Sequence, residues 1–216
     1  MPRIVGVFLV SVFVVYCASQ LSPIQVDPDT QHFIDEYGRV RIFHGVNVVY
    51  KIPPYLPNLT TFDPQNSLND EDLSNLHHWG FNVVRFYASW MGVNPTSESE
   101  IDRTYLSQLS KAVDMMESKG IYTLLDCHQD IFSRYFCGEG APDWITKKLG
   151  DTVVNGFPFP LALNITREPD TGYPVIDECL KRPFFQYYLT EAVINGFKML
   201  SVAFVSCGSR SPHILI

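Results

Sequence analysis

The chain has 216 residues, of which 46% are hydrophobic and 18% are charged, so it can bury the core of one domain. Its formal net charge is −7 at pH 7. Because nucleic-acid binding requires clustered lysine and arginine, this acidic chain without a basic run is not expected to bind nucleic acid.

The first residues have the pattern of a secretory signal peptide. Arg3 gives a positive start, the run from Ile4 to Tyr16 is almost wholly apolar, and small residues follow. The run is shorter than the ~20 apolar residues of a transmembrane helix. We therefore expect cleavage after Ser19 and a secreted or lysosomal protein without a transmembrane span in its mature form. An uncleaved signal anchor is the alternative.

Secretion would place the remaining cysteines in an oxidising compartment, where disulfides form. These are Cys127, Cys137, Cys179 and Cys207, and four cysteines allow three connectivities. The candidate pair is Cys137 with Cys179, which would tie down the long segment between them. A zinc site has no support, because no C-x-x-C pair is present.

Two sequons, at Asn58 and Asn164, also fit a secreted glycoprotein. Both lie in proline-rich segments that are expected to be loops. We therefore predict that both asparagines carry N-linked glycans.

The hydrophobic pattern alternates between strands and helices. In chain order it predicts a strand ending at 47–51, a short helix between the cap Asn69 and Gly80, a strand at 81–90, a helix at 102–119 and a strand at 121–126. Short links join each helix to the next strand, which indicates parallel β/α units. The predicted class is α/β of the (β/α)₈ TIM-barrel type, since no G-x-G-x-x-G of a dinucleotide-binding fold follows the first strand.

The second half of the chain is less regular. Little periodicity is present from Ile131 to Arg182, and a single helix is predicted at 184–200. A full barrel takes ~250 residues, so about the first three β/α units are expected. The predicted division is a signal peptide at 1–19, part of a barrel at 20–198 and a divergent tail at 199–216. Such a part would leave the first and third strands with unpaired edges.

Polar side chains follow all three predicted strands at their C-terminal ends, where barrels carry their chemistry. Alternation along a strand places them on a common face. They are Asn47, Lys51, Arg85, Asp126, His128 and Asp130. Carboxylates, amides and cations together can bind sugar hydroxyls through charge-assisted hydrogen bonds, and Tyr87 and Trp90 could add apolar faces for a sugar ring.

Each of these residues also has a structural interpretation. Arg85 and Asp126 could form an ion pair that only stabilises the barrel, His128 could be a structural histidine, and Asp130 could cap a turn. Asp126, His128 and Asp130 could also bind a metal ion, but the sequence has no second histidine cluster to complete such a site. Cys137 could act as a nucleophile paired with a histidine, but the expected disulfide would remove its thiol. A serine hydrolase is not indicated, because no G-x-S-x-G nucleophile elbow is present.

Three stretches together resemble one family. The sequences FHGVNVVYK, VVRFYASWMGVNP and LLDCHQDIFSRYFCGEGAPDWI are similar to those of the endoglycoceramidases, which are cellulase-like glycoside hydrolases of family five with a (β/α)₈ barrel. The resemblance extends from about Ile34 to about Lys198. It implies hydrolysis of the bond between the oligosaccharide and the ceramide of glycosphingolipids, with retention, without a metal or organic cofactor and with a lipid surface nearby.

The resemblance also implies roles for individual residues. Lys51, Asp126 and His128 match the positions that contact the sugar in this family. Arg85 matches the arginine beside the nucleophile, and Asp130 belongs to the same motif.

The two catalytic glutamates of the family have no counterpart in this sequence. Retaining cleavage uses two carboxyl groups about 5 Å apart. The resemblance assigns them to an Asn-Glu-Pro motif after strand four and to a glutamate after strand seven, and neither is present. Glu168 in Arg-Glu-Pro has no predicted strand before it. The expectation is therefore an inactive chain, and the alternative function is a glycan- or glycolipid-binding fragment.

Overall fold

A computed structural model describes residues 21–149, 165–204 and 214–215. Its centre is a four-stranded parallel sheet in chain order, preceded by a two-stranded antiparallel hairpin. The expected signal peptide, the sequon asparagine Asn164 and Cys207 lie outside these ranges.

The elements are numbered in chain order. The hairpin consists of β1 (Gln25–Val26) and β2 (Phe33–Ile34), and the sheet of β3 (Gly45–Val48), β4 (Val83–Tyr87), β5 (Tyr122–Asp126) and β6 (Ile214–Leu215). The helices are α1 (Asp70–His78), α2 (Trp90–Val93), α3 (Arg103–Ser118), α4 (Asp143–Lys148), α5 (Ile176–Cys179), α6 (Phe185–Tyr188) and α7 (Glu191–Phe204), with a 3₁₀ turn at Arg134–Phe136. Within the described ranges, every helix is too short or too polar to cross a membrane.

Helices α1 and α3 begin and end close to where the sequence predicts. Asn69 and Asp72 form a reciprocal capping box at the start of α1. Asp102 accepts two backbone N–H bonds at the start of α3. Gly80 and Gly120 follow the helices with φ of +82° and +72°, a conformation that glycine adopts without strain.

One face of the sheet packs against these helices and forms an apolar core. Val84 and Phe86 of β4 are fully buried in a cluster with Leu109 and Met116 of α3. Since successive strand residues point to opposite faces, Arg85 and the other odd-numbered residues of β4 lie on the face away from the helices. The site described below is on that face.

The N-terminal hairpin packs at the amino ends of the strands, on the face of the sheet that is turned away from the helices. Phe33 packs edge-on against Phe43, and Phe43 against Tyr122, with ring centroids 5.4 Å apart in each pair. The Tyr122 hydroxyl donates to the carbonyl of Ser22 at 2.7 Å. The amino ends of the strands are thereby filled with aromatic rings, whereas the carboxyl ends carry polar groups.

The segment that lacks sequence periodicity forms a second apolar cluster. Its buried members come from residues 132–145, from α6 and α7 and from Trp90 of α2, and include Phe132, Phe136, Ile145, Tyr187 and Val193. A disulfide joins Cys137 to Cys179, with their Cα atoms 5.3 Å apart, as the sequence suggested. The elements of this segment are short and pack against residues far away in the chain. They therefore show no regular hydrophobic period in the sequence from Ile131 to Arg182.

Two sequence-based expectations are wrong. The helix predicted at 184–200 is interrupted, because the Thr190 hydroxyl donates to the Tyr187 carbonyl and accepts from the Val193 N–H, which starts α7 as a new helix. The third strand was expected to have a free edge, but Thr123 of β5 pairs with Ile214 of β6. The predicted domain boundary at 199 lies inside α7.

Replacing both Cys137 and Cys179 by serine should lower the free energy of unfolding by about 4 kcal/mol, from the chain entropy of a loop with a sequence separation of 42. Urea denaturation followed by far-UV circular dichroism measures this loss. Cys127→Ser, outside the disulfide, is the matched control. Equal unfolding midpoints for the double variant and the control would contradict a stabilising role.

Candidate carbohydrate-binding site

The polar residues of the predicted strand ends lie on one face of the sheet. In the register of the sheet, Asn47 is paired with Arg85, and Tyr87 with Asp126. Since paired residues of neighbouring parallel strands point to the same side, β3, β4 and β5 present their side chains to a common space.

The first part of the site is built around the Asp126 carboxylate. Asp126 Oδ2 lies 2.7 Å from Arg85 Nη2 and 3.0 Å from His128 Nδ1. Arg85 Nη2 is itself 3.4 Å from His128 Nδ1. The Asp126 and His128 side chains are 24% and 19% exposed, so solvent competes only in part for these contacts.

The second part is built around the Lys51 ammonium. Lys51 Nζ lies 2.8 Å from Asp130 Oδ2 and also contacts Glu139 Oε1. His128 Nε2 lies 3.1 Å from the same Asp130 oxygen. His128 therefore links the two parts, and we call the six residues Lys51, Arg85, Asp126, His128, Asp130 and Glu139 the strand-end network.

The charges of Lys51 and Asp130 stabilise each other. The hydrogen bond from Lys51 holds the pKa of Asp130 below its ordinary value of 3.8. Partial burial lowers the pKa of Lys51, but the bonds to Asp130 and Glu139 outweigh it, and the net pKa lies above 10.5. The Asp130 contribution is thus lost only as pH falls through its lowered pKa, and the Lys51 contribution only as pH rises through its raised pKa. Between these limits both groups are charged.

Glu139 is the network residue that the sequence analysis missed. Residues Asp130 and Glu139 form an antiparallel bridge, with backbone N···O distances of 3.1 and 2.6 Å. A Cβ atom on Gly138 would lie 2.0 Å from the Asp130 carbonyl oxygen, so this close approach requires glycine. In the sequence, Glu139 is marked by its position between Gly138 and Gly140 and by its place in LLDCHQDIFSRYFCGEGAPDWI, one of the stretches that carry the resemblance.

The donor atoms alone could suggest a metal centre. Ligand atoms of His128, Asp130 and Glu139 lie within 4.8 Å of one another. Lys51 Nζ, however, already contacts both carboxylates and supplies the positive charge between them. The arrangement therefore does not favour a metal ion at this position.

The two aromatic residues expected to face a sugar ring do not do so. Tyr87 is 2% exposed, and its ring lies edge-on to His128 with centroids 6.1 Å apart. Burial raises the pKa of Tyr87 to about 12. Trp90 is buried at the start of α2, edge-on to Trp144. Trp90 is buried because it packs with Phe132 and Phe136 in the second apolar cluster, and Tyr87 is buried beside His128.

Asn47, the remaining sequence-predicted residue, lies on the site face and is exposed. Among the described residues, no hydrogen bond joins its side chain to the strand-end network. The structure therefore brings together Lys51, Arg85, Asp126, His128 and Asp130 and leaves Asn47 beside them.

Comparison with known proteins identifies relatives of this chain. Residues 50–155 match the family model "Cellulase (glycosyl hydrolase family 5)". The chain is 41% identical over 177 residues to the endoglycoceramidase of Hydra vulgaris, an alignment that covers 82% of this chain and 33% of that protein. It is 39% identical over 175 residues to the endoglycoceramidase of Cyanea nozakii, covering 81% and 34%. The chain thus spans about a third of the length of the curated relatives it matches.

The fold has a counterpart among solved structures. Endo-glycoceramidase II from Rhodococcus sp., in complex with a five-membered iminocyclitol, aligns with a TM-score of 0.55 at 22% identity, covering 84% of this chain and 39% of that chain. At this identity the likeness supports the fold, and the predicted α/β class of the TIM-barrel type is confirmed. The parallel sheet and the matches along the sequence lead to one conclusion: residues 50–155 have the sequence of a family 5 glycosyl hydrolase of the cellulase type, and the chain is related to the endoglycoceramidases.

Proposed function

We propose that the strand-end network binds the oligosaccharide head group of a glycosphingolipid. The whole protein would be a glycoside hydrolase of the endoglycoceramidase type, which cleaves between oligosaccharide and ceramide with retention. One observation carries this proposal: charged groups from three parallel strand ends are joined by His128 into one network, at the end where barrels of this type carry their chemistry.

The network suits sugar hydroxyls because each hydroxyl donates one hydrogen bond and accepts others. Lys51 and Arg85 offer donors, and Asp126, Asp130 and Glu139 offer acceptors. Hydrogen bonds to ionised groups are about twice as strong as neutral ones. The ion pairs within the network also hold these groups in place before a sugar arrives, which reduces the entropy lost on binding.

The same contacts argue against cleavage by the described part of the chain alone. A proton donor in glycoside hydrolysis needs a raised pKa, and Lys51 moves the pKa of Asp130 in the opposite direction. Glu168 lies in a turn, where its carboxylate accepts from the Thr171 hydroxyl at 2.8 Å. The lowered pKa of Asp130 and the position of Glu168 together favour the second candidate function, which is glycolipid binding without turnover.

The compartment proposed for the protein is the secretory pathway or the lysosome. The Cys137–Cys179 disulfide supports an oxidising compartment. Asn58 is exposed, and its side-chain oxygen accepts hydrogen bonds from the Thr60 N–H and hydroxyl at 2.9 and 3.0 Å. The first sequon therefore lies in an accessible turn.

A fluorescent ganglioside in detergent micelles should bind the chain without release of ceramide. His128→Ala should weaken binding by roughly tenfold to hundredfold, because it removes charge-assisted bonds at the centre of the network. Fluorescence anisotropy measures binding, and thin-layer chromatography measures release.

His78→Ala, an exposed histidine of α1, is the matched control and should bind like the unaltered chain. Measurable turnover would overturn binding without cleavage and restore an active enzyme. Equal binding by both alanine variants would contradict the site.

Lys51→Met should raise the pKa of the Asp130 carboxyl toward its ordinary value of 3.8, because the ammonium group is the main cause of its depression. Carbon-detected NMR titration of aspartate side chains measures the change. Lys111→Met removes an exposed lysine of α3 and should leave Asp130 unchanged. An Asp130 titration that is the same in all three proteins would exclude the ion pair.

When the chain is expressed in a eukaryotic secretory host, Asn58 should carry a glycan. Asn58→Gln and Thr60→Ala should each remove one glycan, seen as a mobility shift that peptide N-glycosidase abolishes. Asn66→Gln, outside any sequon, should retain it. Identical mobility of all variants would contradict modification at Asn58.

A further inference from the structure

We propose that Glu139 is a positioning residue, whose carboxylate holds the Lys51 ammonium at the sugar-binding edge of the sheet. Lys51 would then donate to a sugar hydroxyl from a fixed position beside Asp130. The inference rests on the proposed function of the strand-end network and adds a residue that acts through Lys51.

Lys51 needs such an anchor because the sheet does not orient it. The strand β3 ends at Val48, so Lys51 lies beyond the last strand pair, and its side chain is 41% exposed. A free lysine side chain samples many rotamers and loses that entropy when a ligand fixes it. The ammonium contacts two carboxylates, Asp130 and Glu139, and the Glu139 side chain is only 15% exposed.

Glu139 is itself held firmly. Its backbone forms the bridge with Asp130, and Gly138 and Gly140 both pass so close to residues 128–131 that a Cβ atom would clash. Cys137, two residues earlier, is tied to Cys179 by the disulfide. The Glu139 carboxylate is therefore a fixed negative charge on a rigid loop, whereas Lys51 is the flexible partner.

The titratable groups that surround Lys51 are Asp130, Glu139, His128 and the buried Tyr87. Glu139 Oε1 lies 3.9 Å from His128 Nε2, so it is close to both basic groups of this part of the site. Glu139→Gln keeps the shape of the side chain and removes its charge. It would leave Asp130 as the nearest anionic partner of Lys51 among the described residues.

The first measurement concerns Lys51 in the sugar-free chain. Glu139→Gln should lower the pKa of the Lys51 ammonium, followed by NMR of its side chain, and Glu139→Asp should give an intermediate value. Glu168→Gln removes one negative charge outside the network and should leave Lys51 unchanged. A Lys51 titration unaffected by Glu139→Gln would overturn the inference.

The second measurement is binding of the fluorescent ganglioside. Glu139→Gln should weaken it about fivefold, as expected for a partly exposed ion pair. If Glu139 acts through Lys51, its substitution has no effect once Lys51 is gone, so the double variant K51M/E139Q should bind like K51M alone. If Glu139 has a purely structural role, its substitution weakens binding with or without Lys51. A further fivefold loss in the double variant would therefore overturn the inference.

The two proposals fail in different ways. If the unaltered chain does not bind ganglioside but Glu139→Gln still shifts the Lys51 titration, the proposed function is overturned and the anchoring of Lys51 by Glu139 is supported. If the chain binds ganglioside and the Lys51 titration does not move, the proposed function stands and the role of Glu139 is overturned.

Discussion

The need to pair charges at the carboxyl ends of three parallel strands governs the arrangement of this chain. Asp126, His128 and Glu139 are each less than a quarter exposed, so an unpaired charge there would be costly. Arg85 and Lys51 supply the partners, and His128 connects the two ion pairs through Asp126 and Asp130. In the proposed function, a sugar would contact charged groups that are already paired with one another.

The disulfide-linked second cluster serves this arrangement. It packs the loop after β5 against Trp90, which is buried in the same cluster as Phe132 and Phe136. It also places Glu139 against Asp130. The long irregular segment thus contributes Glu139 to the site, and its apolar packing stabilises the loop that carries this residue.

Much of the fold was predictable because its signals are local. The capping box at Asn69, the glycine after α3 and the continuous apolar strands mark the β/α units directly in the sequence. The helix break at Thr190 and the pairing of β6 were not predictable. The first depends on the Thr190 hydroxyl bonding to the Tyr187 carbonyl between two helical segments that both pack in the second cluster, and the second on contacts between residues far apart in the chain.

The sequence by itself indicated the family through the resemblance of three stretches. It also determined the parallel units and five of the six network residues, because alternation along a strand and the position of the strand ends are local properties. Only the tertiary structure decided that Glu139 joins the network, that Tyr87 and Trp90 are withdrawn from it and that Cys137 pairs with Cys179. The position of Glu139, the disulfide and the burial of Trp90 depend on the loop after β5 folding back on the chain. That fold-back is stabilised by contacts between distant residues, which no short stretch of sequence encodes.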